Sequence, residues 1–377
     1  MQEDSASVLF DEHATTNGMR LGVATLNAPK GLNSLSLEMA RRLDAQLRDW
    51  ASQPEVAMVM LRSSSPRAFC AGADLVKLYR TMAESQGDTR ANPYGRDFFA
   101  AEYRLDNLLH HYPKPVLCWG EGIVMGGGLG LMLASSHRVI TPQSTIAFPE
   151  ITIGLFPDVG GSLLLHQVPA NLGLYLGLTG ARLNAADTLY ATLADVVLPE
   201  QHRDTLVEFL AAIAWAPEVD TRHAQLTDAL DGLAAEPVPP GPLQRQHEHV
   251  AALVGKPTLE QCIAAIQADD ADDEWLADNR QRLAEGAPGS VRLAWALYHQ
   301  ATSLMLDDVF RLEYRVAQRA IAEGDLFEGI RALLIDKDGT PDWQPQSLQA
   351  ADDEWASHML SPLSGDYPPD IMVNGQA

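Results

Sequence analysis

The chain has 377 residues, enough for two domains or for one large domain with an extension. Its 50 acidic side chains outnumber its 27 basic ones, giving a formal net charge of −23. Because nucleic acids and anionic membranes are bound by basic surfaces, this balance excludes both as expected partners.

The three cysteines, Cys70, Cys118 and Cys262, form no CxxC pair, so we expect neither a zinc site nor a disulfide framework. The N-terminus is acidic and lacks the basic region of a leader peptide. The longest mostly apolar run, residues 122–134, is rich in glycine and shorter than the ~20 residues of a membrane span. We therefore expect a soluble protein of the reducing cytoplasm.

The first part of the chain alternates β-rich runs with helical patterns, which predicts an α/β fold. Apolar residues spaced three and four apart predict a helix over residues 37–51. A second helix is predicted near residues 129–136. Strands are predicted at residues 21–26, 56–62, 116–119, 139–141 and 145–148.

A proline-rich stretch at residues 236–242 (EPVPPGP) predicts a linker. We therefore divide the chain into a core over residues 1–235 and a helical C-terminal region over residues 243–377. The C-terminal helices are predicted at residues 259–268, 273–285, 291–301 and 306–322. We interpret the acidic cluster at residues 269–274 as a solvated helix start rather than a metal site. His247 and His249, just after the linker, are also expected to be solvated.

Residues 68–75 (AFCAGADL) form the first segment that could carry chemistry. Three small residues follow one another at positions 71–73 and allow a ligand to approach the backbone closely. A free N–H there could donate to a developing oxyanion. Taken alone, the segment is explained better by a tight turn that enters a helix.

Residues 122–130 (GIVMGGGLG) lie between a predicted strand and an apolar helical run. Gly126, Gly127 and Gly128 would place unpaired N–H groups at a helix start, as an oxyanion hole requires. The spacing fits neither a phosphate-binding loop nor a dinucleotide fingerprint. A glycine-rich turn that allows close helix packing explains this segment equally well.

Residues 148–162 (FPEITIGLFPDVGGS) place Glu150 and Asp158 in an apolar loop between a strand and a helix. Two neighbouring carboxyl groups can have pKa values driven apart, which supplies a base or nucleophile together with an acid. Two alternatives stay open on the sequence. Asp158 could simply cap the following helix, and Glu150 could be a solvated loop residue.

Together, these segments resemble the crotonase (enoyl-CoA hydratase/isomerase) superfamily, and within it most of all the 3-hydroxyisobutyryl-CoA hydrolases. The resemblance extends over most of the chain, and the later blocks are more specific than any single glycine motif. The matching segments are NAPKGLN at 27–33, AFCAGAD, GIVMGGGLG, SSHRVIT at 135–141, FPE, GLFPDVGGS, FEGIRALLIDKD at 327–338, Pro341 and Trp343.

The resemblance implies a spiral of ββα units closed by a helical C-terminal region, with an acyl-CoA substrate bound in the core. By position in the motifs, the oxyanion donors are the N–H groups of Ala73 and Gly127. The catalytic carboxylates are Glu150 and Asp158, and Glu102 is a further acid of the substrate pocket. No metal or redox cofactor is implied, since CoA is part of the substrate, and a homo-oligomer is compatible with the family. Two lysines, Lys30 and Lys77, are the candidate ligands of the CoA phosphates.

Three departures from the family patterns bear on the reaction. Gly130 stands where hydratases carry one of their two catalytic glutamates, and Asp158 stands where they usually carry glycine. Both differences favour hydrolysis over hydration, and the resemblance implies a short 3-hydroxyacyl-CoA of valine catabolism as the substrate. Ala73 replaces the glycine usual in the hydrolases, so a methyl group lines this turn. The alternatives are a hydratase or isomerase that uses Glu150 alone, and a non-catalytic CoA-binding protein.

Overall fold

The computed structural model describes residues 6–85, 92–234 and 238–363. Within them, nine strands form two sheets. The larger sheet has the order β1-β2-β3-β5-β7-β9 and the smaller sheet the order β4-β6-β8. The strands are β1 Val8–Ala14, β2 Arg20–Leu26, β3 Val56–Ser63, β4 Ala68–Cys70, β5 Val116–Gly120, β6 Ile123–Met125, β7 His137–Ile140, β8 Thr145–Ala147 and β9 Val196–Val197.

Helices follow the strands in the first part of the chain and dominate the rest. Those up to residue 231 are α1 Leu37–Ser52, α2 Leu75–Glu84, α3 Pro93–His110, α4 Gly127–Leu133, α5 Gly161–Leu164, α6 Leu172–Thr179, α7 Ala185–Tyr190, α8 Leu206–Ala211 and α9 Val219–Asp231. The later ones are α10 Pro242–Arg245, α11 His247–Val254, α12 Leu259–Gln267, α13 Glu274–Glu285, α14 Pro288–Ala301, α15 Leu306–Glu323, α16 Leu326–Ile330 and α17 Asp353–Leu360.

The two sheets are built by a repeated path of the chain. Each repeat contributes one strand to the larger sheet, one to the smaller sheet, and then a helix: β3, β4 and α2, followed by β5, β6 and α4. In the third repeat, β7 and β8 lead into a 3₁₀ turn, Glu150–Ile153. All pairs except β1 with β2 are parallel. The predicted α/β class and the ββα repeat are therefore confirmed.

The local sequence explains the central elements. Every residue of β3 except Arg62 is buried, as is typical of a parallel strand covered on both faces. In α1, the buried residues recur three and four apart at Met39, Leu43, Leu47 and Trp50. Ser36 caps the helix by accepting from the N–H of Met39. Each predicted strand and helix is present, with ends shifted by a few residues.

The C-terminal helices cover the ββα core instead of standing apart from it. Phe98 and Tyr103 of α3 share a buried cluster with Phe310, Tyr314 and Ile321 of α15. The predicted boundary at residue 235 lies outside the described residues, and the two-part division stays a prediction. Among the described residues, no helix has the length and apolar character to cross a membrane.

The acidic cluster before α13 is only partly solvated. Asp273 caps α13 by accepting from the N–H of Leu276 at 3.1 Å, which confirms the predicted helix start. Asp269 is different: its side chain is 5% exposed and pairs with His249 at 3.0 Å and Arg280 at 3.2 Å. The expectation of solvation was therefore wrong for Asp269, because a basic partner on each side compensates its burial.

Candidate active site

The three segments singled out in the sequence meet at one edge of the smaller sheet. Residues 71–74 follow β4, residues 126–127 follow β6, and residues 148–150 follow β8. These strands are parallel neighbours, so their carboxyl ends lie side by side. Chain segments that are far apart in sequence therefore come together at this edge.

Two backbone turns are in direct contact there. Gly72 has φ +101° and Gly126 has φ +49°, conformations that favour glycine. A Cβ atom placed on Gly72 would lie 3.4 Å from the carbonyl oxygen of Met125 and 3.8 Å from the nitrogen of Gly127. Any side chain at position 72 would therefore occupy space between the two turns.

Each of these turns carries an N–H group that has no acceptor in the part of the chain that the structure describes. The hydrogen bonds around Ala73 run from the N–H of Leu35 to Gly72 at 2.7 Å and from the N–H of Asp74 back to Leu35 at 2.9 Å. Neither bond involves the N–H of Ala73, which has no acceptor among the described residues. Gly127 begins α4, and its N–H likewise has none. Two free donors on adjacent turns are the requirement of an oxyanion hole.

Glu150 and Glu102 lie on either side of the second turn. Oε1 of Glu150 lies 3.7 Å from the position of a Cβ on Gly126, and a Cβ on Gly127 would collide with Oε1 of Glu102. Glu150 is 2% exposed and Glu102 1%. Neither oxygen of Glu150, nor Oε1 of Glu102, has a hydrogen-bond partner in the described part of the chain. Glu150 is thus a buried carboxyl group beside the free amides, and the solvated-loop alternative was wrong.

Asp158 is buried too, and it is held by an aromatic side chain. The hydroxyl of Tyr103 donates a 2.6 Å hydrogen bond to Oδ2 of Asp158. The helix that follows, α5, is preceded by Gly160 at the cap position, with no side-chain cap. Asp158 is therefore not the cap of this helix, and that alternative was wrong.

The N–H groups at the start of α5 are instead bound by a residue far along the chain. The carboxylate of Glu313, on α15, accepts from the N–H of Gly160 at 2.7 Å and from the N–H of Ser162 at 3.0 Å. Glu313 is fully buried. It therefore ties the loop that carries Asp158 to the C-terminal helices.

Burial sets the charge state of these carboxyl groups. It raises the pKa of Glu102, Asp106 and Glu150 well above the usual range, and the charge of Asp158 raises each of them further. Burial also raises the pKa of Asp158, but only to about 6, because the hydrogen bond from Tyr103 stabilises its anion. Asp158 thus ionises first, while Glu150 keeps its proton to higher pH. The cluster offers a proton donor and a proton acceptor together.

Three residues of this cluster escaped the sequence analysis: Tyr103, Asp106 and Glu313. In each case, a polar group lies on a helix among buried apolar residues. Asp106 follows Glu102 by four residues on α3, so both acids lie on one face of a helix that is otherwise almost wholly buried. Glu313 interrupts the apolar face of α15. For Asp106 and Glu313, the sequence signal that could have identified them is an acidic residue among the apolar residues of a helix.

The two lysines considered for the CoA phosphates lie outside this cluster. Lys30 and Lys77 are both exposed. The ammonium group of Lys77 is 5.6 Å from the ring centre of Tyr94. Their roles stay predictions.

Comparison with known proteins agrees with this architecture. The family model described as enoyl-CoA hydratase/isomerase matches residues 21–360. Relatives named "3-hydroxyisobutyryl-CoA hydrolase, mitochondrial" include one from Danio rerio, 34% identical over 91% of this chain and 88% of its own, and one from Gallus gallus, 32% identical over 91% and 86%.

Two solved structures are similar over almost their whole length. An enoyl-CoA hydratase from Rhodobacter sphaeroides 2.4.1 is 32% identical, with a TM-score of 0.81 over 95% of this chain and 98% of its own. A carnitinyl-CoA dehydratase from Mycobacterium thermoresistibile is 30% identical, with a TM-score of 0.85 over 99% and 100%. The ββα repeats and these likenesses define an enzyme of the crotonase fold. The chain belongs to the enoyl-CoA hydratase/isomerase family, and the named hydrolases support an activity on CoA thioesters.

Proposed function

We propose that this enzyme hydrolyses the thioester of a short 3-hydroxyacyl-CoA, with 3-hydroxyisobutyryl-CoA as the preferred substrate. The observation that carries the proposal is the placement of Glu150 beside two unused N–H donors, with Asp158 as a second, more acidic carboxyl group nearby. The names of the relatives from Danio rerio and Gallus gallus support the same substrate.

In the proposed reaction, the N–H groups of Ala73 and Gly127 bind the carbonyl oxygen of the thioester and stabilise the negative charge that develops on it. Glu150 first passes its proton to the carboxylate of Asp158. The Glu150 carboxylate then either attacks the carbonyl carbon or removes a proton from an attacking water molecule. The C–S bond breaks, and the CoA thiolate takes the proton held by Asp158.

The two routes differ in one intermediate. In the nucleophilic route, Glu150 forms a mixed anhydride with the acyl group, and water then releases the acid. In the other route, water adds to the carbonyl carbon directly. A single turnover in ¹⁸O-labelled water tests for the anhydride, since label appears in the side chain of Glu150 only if an anhydride forms and water attacks its Glu150 carbonyl carbon.

Hydration of an enoyl-CoA is the second candidate, favoured by the name of the similar structure from Rhodobacter sphaeroides 2.4.1. The surroundings of Gly130 argue against the hydratase arrangement. A Cβ atom placed there would lie 2.7 Å from Cβ of Val159 and 2.8 Å from Oδ2 of Asp106. These distances are too short for a real side chain, so a glutamate does not fit at position 130 without movement of its neighbours.

Assays on two substrates separate the candidates. A hydrolase releases a free thiol from 3-hydroxyisobutyryl-CoA, which a disulfide reagent detects by its colour. A hydratase removes the enoyl absorbance of methacrylyl-CoA without releasing thiol. A protein that only binds CoA does neither, although calorimetry detects binding. Thiol release at a rate no higher than the spontaneous rate would contradict the proposed function.

We propose further that the reaction needs no metal or redox cofactor, because the carboxyl pair supplies both proton transfers. Thiol release should survive dialysis against a chelator, and loss of activity restored by a metal would contradict this. A role in valine catabolism and a cytoplasmic location are likewise proposals. They rest on the expected substrate and on the composition.

A further inference from the structure

Asp106 is a buried acid that the proposed reaction does not use. Its side chain is fully buried on α3, and neither of its carboxyl oxygens has a hydrogen-bond partner among the described residues. A buried polar group without a partner carries a free-energy cost for folding. Such a group is therefore expected to have a function that compensates the cost.

The position of Asp106 relates it to the oxyanion turn. Glu102 and Asp106 lie one turn apart on α3, and they face Gly127 and Gly130 on α4, which are also one turn apart. The absence of side chains at both glycines leaves the space that the two carboxyl groups occupy. Gly127 provides the proposed oxyanion donor, so Asp106 lies about 4.5 Å further along the axis of α4.

That displacement matches the substrate class. In a 3-hydroxyacyl thioester, three bonds separate the carbonyl carbon from the hydroxyl oxygen, and this reach together with one hydrogen bond of about 2.8 Å covers a displacement of about 4.5 Å. We propose that Asp106, together with Glu102, binds the 3-hydroxyl group of the substrate and thereby determines the preference for hydroxylated acyl groups. This inference rests on the proposed function, since it names the part of the same site that selects the acyl group.

The charge state of Asp106 fits this role. Burial, followed by the charges of Asp158 and Glu313, raises its pKa well above the usual range. These effects favour the neutral form of Asp106, which has an O–H that donates and a carbonyl that accepts. A substrate hydroxyl needs both kinds of partner. An asparagine at this position offers the same pair, whereas a leucine offers neither.

Binding measurements test the inference without depending on turnover. In a Glu150→Gln background, where the thioester is expected to survive, calorimetry gives Kd for 3-hydroxyisobutyryl-CoA and for isobutyryl-CoA, which lacks the hydroxyl. We expect the hydroxylated ligand to bind at least ~10-fold more tightly, as one well-placed hydrogen bond allows. Adding Asp106→Leu should remove most of that ratio, and adding Asp106→Asn should keep it within about threefold.

A neighbouring residue provides the control. Asn107 is also buried on α3, but points away from Asp106 by about 100° of helix rotation. Asn107→Leu should change both affinities together and leave their ratio unchanged. A ratio unaffected by Asp106→Leu in a folded protein would overturn the inference, and so would an equal loss in Asp106→Asn and Asp106→Leu. If the wild type releases no thiol while the ratio responds as expected, the proposed function fails and the assignment of Asp106 stands.

Discussion

The hydroxyl of Tyr103 donates a 2.6 Å hydrogen bond to Oδ2 of Asp158. The two residues are 55 positions apart, and both are buried. Because Tyr103 is the neighbour of Glu102 on α3, this bond connects the helix that carries the pocket acids to the loop that carries Asp158. It also lowers the pKa of Asp158 against the effect of burial. Tyr103 therefore favours ionisation of Asp158 over that of the other buried carboxyl groups.

Tyr103→Phe should change the pH dependence of the enzyme. Loss of the donor raises the pKa of Asp158, so the acidic limb of kcat/KM, which reports ionisation of the coupled carboxyl groups, should move up by about one pH unit. Thiol release measured from pH 4 to pH 9 checks this. Tyr314→Phe is the matched control, since the Tyr314 hydroxyl donates to the carbonyl of Arg96 and not to the cluster. Identical profiles for wild type and Tyr103→Phe would contradict the proposed coupling.

Asp158→Asn tests the proton donor. The amide cannot supply an acidic proton to the leaving thiolate, so turnover should fall by about 100-fold or more. The melting temperature should change little, since Asp158 does not cap α5 and asparagine can still accept from Tyr103. Full activity in this variant would remove Asp158 from the mechanism and weaken the case for hydrolysis over hydration.

Glu313 should prove important for stability. Glu313→Ala leaves the buried N–H groups of Gly160 and Ser162 without an acceptor, which should lower the free energy of unfolding by at least about 2 kcal/mol. Glu313→Gln retains one oxygen and should lose less. Urea unfolding at pH 7 measures both, and wild-type stability in Glu313→Ala would show that these bonds contribute nothing net.

Stability should also depend on pH through Glu150. Its pKa is raised in the folded state, so the folded protein binds more protons than the unfolded chain, and this contribution to stability falls as pH rises above about 4. A glutamine at this position would not titrate. Glu150→Gln should therefore raise the melting temperature more at pH 8 than at pH 5. Glu208→Gln, on the exposed side of α8, is the control, and an equal effect of Glu150→Gln at both pH values would count against a raised pKa.

Much of the fold follows from local patterns. The continuous apolar run of β3 and the apolar face of α1 were sufficient to predict both elements. The helix α3 was not predicted, because buried residues occur on nearly all sides of it and no single apolar face marks it. Its only residue named in advance, Glu102, came from the family resemblance and not from a helical pattern.

The candidate site was predictable in its segments but not in its connections. Small residues and paired carboxyl groups singled out three segments, and the family resemblance then assigned Ala73, Gly127, Glu150 and Asp158 within them. Contacts across the fold, such as Glu313 with Gly160 over 153 residues, depend on how α15 packs and leave no local pattern. The choice between cap and buried acid for Asp158 likewise required the position of Tyr103.

We propose that the carboxyl group of Glu150, beside the N–H groups of Ala73 and Gly127, carries out thioester hydrolysis. The most direct measurement compares the rate of thiol release from 3-hydroxyisobutyryl-CoA by wild type and by Glu150→Gln, with circular dichroism to show that both are folded. We expect rapid release by the wild type and a loss of at least ~100-fold in the variant. A folded Glu150→Gln protein that releases CoA at the wild-type rate would contradict this proposal.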